Sequence, residues 1–411
     1  MSCNLCEVQE LAKTNRRKNA KDLFLTFMIT NDCNFRCSYC FETNKEHKYL
    51  SEEDALIVVD KMFDFKDNTD YWKFVYDKDN PIEHIHLGFF GGEPLLNSKL
   101  IEKILDRFVD NCKKDLSKYE NRLNSFTSSI ITNGSLLKTK DTIHLLDKYH
   151  KNISMNITFE GSKNFHDSCR KTIDGKGTYD LVKENMLWFR DTYKQALHPK
   201  ITLTPFNIKY LYECYAELKK LGIKHIYIKP VLDSNLWNKQ HERIAEEQFK
   251  LIVEDMLKPE NSDIDYVMFN IGYNKNSLQE IINPGCGVGR GSITLNADGD
   301  FYPCYEFTTL TQKEEDAPQF VLGNAKTGIT NYGNDLMKTK MLNWIDKKKL
   351  VDDDCKTCNM TTHCTACVGN NYKFTHDFSD SVKWHCKIQQ IQSKWGLIYH
   401  YLKNKGATKY E

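Results

Sequence analysis

Several features that would assign this chain to a broad class are missing from its sequence. Its 57 Lys and Arg residues nearly balance 56 Asp and Glu residues, so a formal net charge of +1 gives no reason to expect nucleic acid or a membrane surface as a partner. No apolar run approaches the length that spans a membrane. The first residues, Met-Ser-Cys-Asn-Leu-Cys-Glu, lack the apolar core of a signal peptide. We therefore expect a cytoplasmic protein without a membrane or nucleic-acid partner.

Cysteine, in contrast, is abundant, because the 411 residues include 15 of them. In a chain without a signal peptide, cysteines in short spacings are typical of metal binding and not of disulfides. Cys33, Cys37 and Cys40 directly follow the apolar run Leu23–Ile29, as Cys-Asn-Phe-Arg-Cys-Ser-Tyr-Cys. Three thiolates suit an iron–sulfur cluster, and a four-iron cluster held by three cysteines keeps one iron open for a small molecule. Three buried thiols, or a zinc site lacking its fourth ligand, are the alternatives.

Apolar segments of strand length alternate with segments of helical periodicity from about residue 23 to residue 258. The predicted strands are Leu23–Ile29, His84–Phe90, Phe126–Thr132, Ile153–Phe159, Lys200–Thr204 and His225–Lys229. The predicted helices are Ser51–Phe65, Asn97–Cys112, Thr139–Tyr149, Thr178–Tyr193, Ile208–Leu221 and His241–Leu257. Six β-α units imply an α/β fold with a parallel sheet and right-handed crossovers. The pattern by itself fits either an open doubly wound sheet or a curled partial barrel.

The remaining segments have a different character. Asp70–Glu83, rich in Asp, Lys and Tyr, predicts an exposed insertion before the second strand. From about Tyr273 the sequence changes to Gly-rich loops, short hairpins and seven cysteines, and Asn296-Ala-Asp-Gly299 predicts a turn between two short strands. We therefore expect an N-terminal segment over residues 1–22, the β-α domain over 23–258 and a cysteine-rich domain over 273–411.

The cysteine triplet after the first strand resembles that of the S-adenosylmethionine (SAM) radical superfamily. The resemblance implies that Cys33, Cys37 and Cys40 hold a [4Fe–4S] cluster whose open iron chelates SAM, and that electron transfer cleaves SAM to a 5′-deoxyadenosyl radical. It also implies the partial (β/α)6 barrel of these enzymes, with the chemistry on the loops that follow the strands.

Further residues match the SAM-binding positions of this family. The segment Gly91-Gly92-Glu93-Pro94 resembles the GGEP motif, which accepts hydrogen bonds from the SAM amino group. By the same resemblance, Asn133 in Thr132-Asn133-Gly134 lines the cavity, Glu160 lies near the ribose, Arg170 pairs with the SAM carboxylate, and Phe41 packs near the adenine. The alternatives are plain turns at the glycines, a surface arginine and a core aromatic ring.

The seven later cysteines resemble the SPASM extension of peptide-modifying radical SAM enzymes, except that two residues rather than three separate Cys364 from Cys367. The resemblance implies two auxiliary clusters, and hence three [4Fe–4S] clusters in all. Their ligand sets would be Cys286, Cys304 and Cys367 for the inner cluster and Cys355, Cys358, Cys364 and Cys386 for the outer one. A zinc ribbon is the competing interpretation of the paired Cys-x2-Cys segments. Three other cysteines, Cys112, Cys169 and Cys214, are predicted to be buried small hydrophobic residues.

The inner cluster has only three candidate protein ligands, because Gly287–Pro303 contains no further cysteine. Either Cys3 or Cys6 closes it, or its open iron binds a substrate thiolate, as proposed for thioether-forming relatives. The expected function is therefore maturation of a ribosomally synthesised peptide through a Cys thioether.

The resemblance leaves other reactions open. Anaerobic sulfatase maturases carry an Asp as proposed base after the second auxiliary cysteine, whereas this chain has Tyr305 followed by Glu306, which are its candidate catalytic residues. A phenol with a pKa near ~10 is a poor base, which disfavours formylglycine formation unless Glu306 serves instead. Carbon–carbon or ether cross-linking, epimerisation, and electron transfer without catalysis are the remaining alternatives.

Three partners follow from this interpretation. The first is a precursor peptide that contains cysteine, and the second is a reductant such as flavodoxin or ferredoxin. Only about twenty residues precede the first predicted strand, fewer than a leader-recognition domain of the usual size needs. We therefore expect that a separate leader-binding protein, or the Asp70–Glu83 insertion with the barrel mouth, presents the peptide.

Overall fold

The architecture comes from a computed structural model, which describes a defined part of the chain. The described residues are 22–63, 70–72, 82, 84–231, 235–270, 288, 291–330, 367–378, 380 and 382–407.

Six parallel strands form the framework of the fold, and each lies within two residues of its predicted bounds. They are β1 (Asp22–Thr30), β2 (His84–Gly91), β3 (Thr127–Thr132), β4 (Ile153–Ile157), β5 (Lys200–Leu203) and β6 (His225–Pro230). Strands β1 to β4 pair in sequence order, and an isolated parallel bridge between Thr158 and Lys200 continues the series to β5. Strand β6 then pairs with β5 and with the short β7 (Asp265–Tyr266). This arrangement is the predicted partial barrel.

Helices cover the outside of these strands. They are α1 (Glu52–Lys61), α2 (Ser98–Lys114), α3 (Leu116–Ser125), α4 (Lys140–Tyr149), α5 (Lys163–Cys169), α6 (Tyr179–Tyr193), α7 (Leu211–Lys220) and α8 (Lys239–Met256), with a 3-10 turn over Ile208–Tyr210 before α7. All six predicted helices are present, whereas α3 and α5 were not predicted. Helix α3 has no fully buried residue, because its short apolar face, which includes Tyr119 and Leu123, packs only partly against the core.

The cysteine-rich part of the chain continues the barrel sheet. Strand β8 (Ser292–Leu295) pairs in parallel with β1 and turns through Asn296–Gly299 into the antiparallel β9 (Asp300–Tyr302), as the predicted hairpin requires. Strands β10 (Gly323–Asn324) and β11 (Gly328–Ile329) complete an eight-stranded sheet in the order β11-β10-β9-β8-β1-β2-β3-β4. Strand β8 thus covers the edge of β1 that would otherwise be open.

Three short or C-terminal helices accompany these strands. They are α9 (Val267–Asn270), α10 (Val368–Thr375) and the long α11 (Cys386–Asn404). Gln392 of α11 donates to the carbonyl of Ile228 and to the hydroxyl of Tyr266, so this helix contacts the last barrel strands. The sheet and α11 therefore both join the two predicted domains, and the domain limits at 23–258 and 273–411 stay a prediction.

The predicted exposed insertion at Asp70–Glu83 is wrong for two of its residues. Tyr71 and Trp72 are buried, the latter completely. The Tyr71 hydroxyl donates to the Ala325 carbonyl at 2.7 Å, and the Ile329 amide donates to the Tyr71 carbonyl at 2.9 Å. The polar composition of the segment gave no indication that these two aromatic residues are buried. The hydrogen bonds of Tyr71 connect the segment to β11 and to the turn before it. Residues 73–81 and Glu83 lie outside the described part of the chain.

Candidate active site

A cavity of about 220 Å³ lies at the carboxyl ends of the barrel strands, where the sequence predicted the chemistry. Most of the predicted site residues line it together. They are Cys33, Cys37, Cys40, Phe41, Gly91, Gly92, Asn133, Arg170, Tyr305 and Glu306. Three predicted SAM-binding residues, Glu93, Pro94 and Glu160, are buried and are not part of the lining.

The loop that carries the cysteine triplet is held by backbone hydrogen bonds to the end of α5 and to the segment that follows it. The Arg36 amide donates to the Lys171 carbonyl at 2.8 Å, and the Ser38 amide donates to the Cys169 carbonyl at 2.9 Å. Burial raises the pKa of Cys33 to about 12 and also raises the pKa values of Cys37 and Cys40. Thiols in such a place need a bound cation if they are to act as thiolates.

The donor set fits an iron–sulfur cluster better than a single metal ion. Within the described ranges, no three His, Cys, Asp or Glu side chains are placed to hold one metal ion together. A four-iron cluster instead takes one cysteine at each of three irons, which suits three thiols spread along one wall. Arg170 Nε and Glu42 Oε1 are buried beside the cavity without a hydrogen-bond partner among the described residues, as expected where a polar ligand binds.

Gly91 and Gly92 allow two loops to touch directly before the triplet. A Cβ on Gly92 would lie 2.1 Å from the Asp32 carbonyl oxygen, and one on Gly91 would lie 2.2 Å from the Thr30 carbonyl oxygen. The Gly92 amide donates to the Thr30 carbonyl, and the Glu93 amide donates to the Asp32 carbonyl, each at 2.9 Å. Packing of the two loops therefore requires glycine at both positions, independently of the predicted contact with SAM.

A Gly92→Ala variant is expected to lose iron from the first cluster, because its methyl group must displace the Asp32 backbone next to Cys33. The measurement is iron per chain and visible absorbance after anaerobic reconstitution. Gly175→Ala is the matched control, since Gly175 has φ +81° but no neighbour within 4 Å. Full iron content in Gly92→Ala would show that the loop tolerates the displacement.

Glu93 joins the loops that follow β2 and β3. Its Oε1 accepts hydrogen bonds from Thr132 Oγ1 at 2.7 Å and from the Leu95 amide at 3.1 Å, and its Oε2 accepts from the Asn133 amide at 2.7 Å. Burial raises the pKa of this carboxyl, while these hydrogen bonds act in the opposite direction. Pro94 follows at the start of a 3-10 helix over Pro94–Asn97. The predicted contact of Glu93 with SAM stays a prediction.

Tyr39, Glu160 and Arg170 form a buried polar triad behind the triplet. Arg170 Nη1 donates to the Tyr39 hydroxyl at 2.7 Å and lies 4.0 Å from Glu160 Oε1, which accepts from the same hydroxyl. Glu160 Oε2 accepts from the Thr202 amide at 2.9 Å, which connects the triad to β5. Burial raises the pKa of Glu160 and Arg170 opposes that rise.

His166 supports this triad as a neutral residue. It is fully buried, its Nδ1 accepts from the Glu160 amide at 3.3 Å, and its Nε2 lies 3.1 Å from Thr178 Oγ1. Burial, with Arg170 as a second cause, lowers its pKa to about 2.

The free energy of unfolding should therefore decrease as the pH falls below about 6.5, because His166 then binds a proton in the unfolded chain but not in the folded one. The slope from this residue is about 1.4 kcal/mol per pH unit, and its contribution is fully present above that pH. Chemical denaturation at about pH 7 and about pH 5.5 measures the slope. His166→Gln should show a smaller slope, and an unchanged slope would contradict the assignment.

The opposite wall of the cavity comes from the cysteine-rich part of the chain. The Tyr305 ring packs against Phe90 with centroids 4.7 Å apart and against Phe41 at 6.3 Å. Tyr305 and Glu306 directly follow Cys304, which is buried. A Cβ on Gly369 in α10 would lie 2.7 Å from Glu306 Cβ, so the segments that begin at Cys304 and Cys367 pack against each other.

The predicted ligand sets of the auxiliary clusters stay predictions. Cys304 and Cys367 are among the described residues, and Cys386 begins α11. The other predicted ligands and the terminal candidates lie outside the described part of the chain: Cys3, Cys6, Cys286, Cys355, Cys358 and Cys364. The three cysteines predicted to be small hydrophobic residues are buried as expected: Cys112, Cys169 and Cys214.

Sequence reasoning missed several charged residues of the cavity. Lys45 Nζ lies 2.8 Å from Cys40 Sγ, and the carboxyl of Glu42 is buried so that its pKa rises to about 8. Both lie within five residues of Cys40, and this proximity in the sequence would have identified them as candidate cavity residues. Lys200 and Lys229 line the wall formed by β5 and β6, and their only signal in the sequence was that each is the one lysine of a short predicted strand.

None of the described helices combines the length and the apolar character needed to cross a membrane.

Comparison with known proteins agrees with this geometry. Residues 27–209 match the radical SAM superfamily, and residues 286–359 match SPASM, an iron–sulfur cluster-binding domain. A cysteine-type anaerobic sulfatase-maturating enzyme of Clostridium novyi is 23% identical over 361 residues, which are 82% of this chain and 84% of that protein. The radical SAM cyclopropyl synthase TigE of Paramaledivibacter caminithermalis is 28% identical over 197 residues, which are 43% of this chain and 36% of that protein.

Solved structures share the fold. The structure of anSMEcpe with bound AdoMet and the Cp18Cys peptide has a TM-score of 0.66 at 19% identity, covering 94% of this chain and 99% of that one. Streptococcus suis SuiB bound to the precursor peptide SuiA has a TM-score of 0.54 at 15% identity, covering 91% and 77%. Radical SAM and SPASM domains bind SAM and several [4Fe–4S] clusters, which agrees with the donor set of the cavity. The chain therefore has a radical SAM fold, matched over residues 27–209, and a C-terminal SPASM domain, matched over residues 286–359.

Proposed function

We propose that this protein is a radical SAM maturase that cross-links a ribosomally synthesised peptide through a thioether from a Cys sulfur. One observation carries the proposal: the triplet Cys33, Cys37 and Cys40 and the segment after Cys304 line the same cavity. A substrate held there would contact both the radical SAM wall and the SPASM wall.

The residues of the first wall would hold the SAM cluster and SAM. Cys33, Cys37 and Cys40 supply three cluster ligands, and Gly91, Gly92, Asn133 and Arg170 surround the space beside them. When bound, the cluster and SAM supply a radical that removes a hydrogen atom from a substrate C–H bond. The chain itself positions that bond and excludes other hydrogen donors.

Residues of the second wall would control the substrate. The packed rings of Phe41, Phe90 and Tyr305 form an apolar side that limits access of water. Glu306 places a carboxyl group in the same cavity, where it would accept the proton that a substrate thiol releases on forming a C–S bond. Cys304 lies two residues away along the chain, next to the wall where the substrate sulfur would lie.

The thioether product rests on the three-ligand set predicted for the inner cluster. Cys304 and Cys367 begin two segments that pack against each other, and the third member, Cys286, lies outside the described residues. Cys304 and Cys367 would hold a cluster whose open iron would supply a site for the substrate sulfur, and the SPASM clusters would supply an acceptor for the second electron that cross-linking removes from the peptide.

A second candidate, formylglycine formation, is favoured by the position of Glu306. Glu306 lines the cavity one residue after Tyr305, so this chain has an acidic residue near the place where sulfatase maturases carry their proposed base. The similarity to the Clostridium novyi enzyme over 82% of the chain supports the same candidate. We rank it second because the residue at the position of that proposed base is Tyr305. Its phenol is a poor base, and its ring packs among aromatic rings.

The test is anaerobic reconstitution with iron, sulfide, SAM and dithionite, followed by addition of the Cys-containing peptide encoded nearest to the gene. Cross-linking predicts loss of two hydrogens from the peptide and one 5′-deoxyadenosine per product. A peptide that loses its sulfur and reacts with hydrazide reagents would indicate formylglycine. Formation of no 5′-deoxyadenosine at full iron content would contradict any radical SAM activity. Flavodoxin or ferredoxin, and a separate leader-binding protein, are the partners that we propose in the cytoplasm.

A further inference from the structure

Two lysines line the wall of the cavity formed by β5 and β6. Lys200 opens β5, Lys229 lies near the end of β6, and Thr202 pairs in register with Lys229. Because side chains alternate along a strand, Lys200 and Thr202 share one face of β5. All three residues line the cavity, so both lysines belong to the same inner surface.

Neither lysine has a counter-ion in the described part of the chain. No hydrogen bond and no ion pair joins either ammonium group to a described residue, although both side chains are half-buried. Burial, with Lys229 as the next cause, lowers the pKa of Lys200 to about 8. A buried cation without a partner costs free energy, which an anion entering the cavity would recover.

The other charged groups near the lysines do not fill this role. Arg170 is already engaged with Tyr39 and Glu160 on the wall of the triplet. The carboxylates that act on Lys200 are Glu160 and Glu306, and neither lies within ion-pair distance of it. His385 lies near Lys229, whose charge helps to lower the pKa of His385 and thus keeps it neutral.

We propose that Lys200 and Lys229 form a carboxylate-binding subsite that selects a substrate peptide with an Asp or Glu side chain next to the modified position. The inference rests on the proposed function for its peptide substrate. Asp and Glu carboxylates are the anionic side chains that a ribosome incorporates at neutral pH. Two ammonium groups on adjacent strands can each donate to one such carboxylate.

The binding test uses differential lysine acetylation of the anaerobically reconstituted holoenzyme, followed by peptide mapping. The probes are N-acetyl-L-aspartate amide and its neutral analogue N-acetyl-L-asparagine amide, each added in the presence of SAM. We expect the acid to protect Lys200 and Lys229, with protection of Lys200 weakened about 10-fold or more in Lys229→Met. Exposed Lys103 of α2, which pairs with Glu52, is the internal control and should be labelled equally in every sample.

Three results of this labelling would overturn the proposal. Equal protection by the acid and the amide would show that charge is not recognised. Full protection by SAM alone would assign the lysines to SAM. Protection by inorganic phosphate at lower concentration than by the aspartate derivative would assign the subsite to a phosphate group.

A second experiment uses the peptide of the proposed function. Exchanging its acidic residue for the amide should raise KM about 10- to 100-fold with little change in kcat. The Lys229→Met enzyme should no longer distinguish the two peptides, whereas Lys229→Arg should restore part of the difference. If neither peptide is modified, the proposed function fails, while the labelling result still decides whether the carboxylate subsite exists.

Discussion

A Cys37→Ala variant is expected to lose the iron of one cluster and to form no detectable 5′-deoxyadenosine. Cys37 is one of three thiols that line the cavity, and two remaining cysteines cannot complete the three-ligand set of this cluster. The expected loss is of the whole activity, because the remaining thiols of the triplet, Cys33 and Cys40, leave the predicted cluster one ligand short. Iron per chain and 5′-deoxyadenosine in an anaerobic assay with SAM and dithionite are the measurements.

Cys112→Ala is the matched control for this variant. Cys112 is completely buried, whereas Cys37 is half-buried, and Cys112 lies on α2 and not at the cavity. It should keep its iron and its SAM cleavage, with a modest loss of stability from the deleted sulfur. The assignment of the triplet would be refuted if both variants retained equal iron and equal 5′-deoxyadenosine formation.

A Glu93→Leu variant is expected to lower the free energy of unfolding by about 3 kcal/mol or more, at about 1–3 kcal/mol for each buried donor left without a partner. The donors are the Leu95 and Asn133 amides and the Thr132 hydroxyl. The loops after β2 and β3 would then lose their common anchor, and SAM binding should weaken with them. Urea denaturation and equilibrium binding of SAM to the reconstituted protein measure the two effects.

Glu93→Gln separates the hydrogen-bond role of Glu93 from that of its charge. The amide keeps one acceptor oxygen, so some of the three hydrogen bonds can persist, and the loss of stability should be smaller than in Glu93→Leu. SAM binding that is equally weak in both variants would point instead to a direct contact between the carboxylate and SAM. Unchanged stability in Glu93→Leu would show that these hydrogen bonds do not hold the loops.

The spacing of apolar residues along the chain was sufficient to predict the strands and helices of the barrel. Helix α2 repeats apolar residues at helical spacing, and Leu100, Ile101, Ile104, Leu105 and Phe108 are almost completely buried, as that repeat predicts. The strands are similarly short apolar segments, so their limits agree to within two residues. Such elements bury one face against a core that any compact fold of this class provides.

Local pattern failed where a residue depends on a partner far along the chain. Trp72 lies in a polar segment, yet it is buried between the barrel and the later strands. Strand β8 pairs with β1 although about 260 residues separate them, and no periodicity encodes such a pairing. Glu160 stays predicted beside the SAM ribose, but its hydrogen bonds to Tyr39 and to β5 could not be read from the sequence.

The cysteine triplet by itself predicted a radical SAM cluster, because the ligand type and spacing that resemble this family are local properties of a loop. The sequence also determined the alternating β-α order, because the spacing of apolar residues within each strand or helix indicates the face that it buries. Only the tertiary structure decided that Tyr305 and Glu306 stand opposite the triplet, and that Lys200 and Lys229 share their cavity. These residues come from distant strands and loops, and which of them meet depends on how the sheet curls and on which edge β8 occupies.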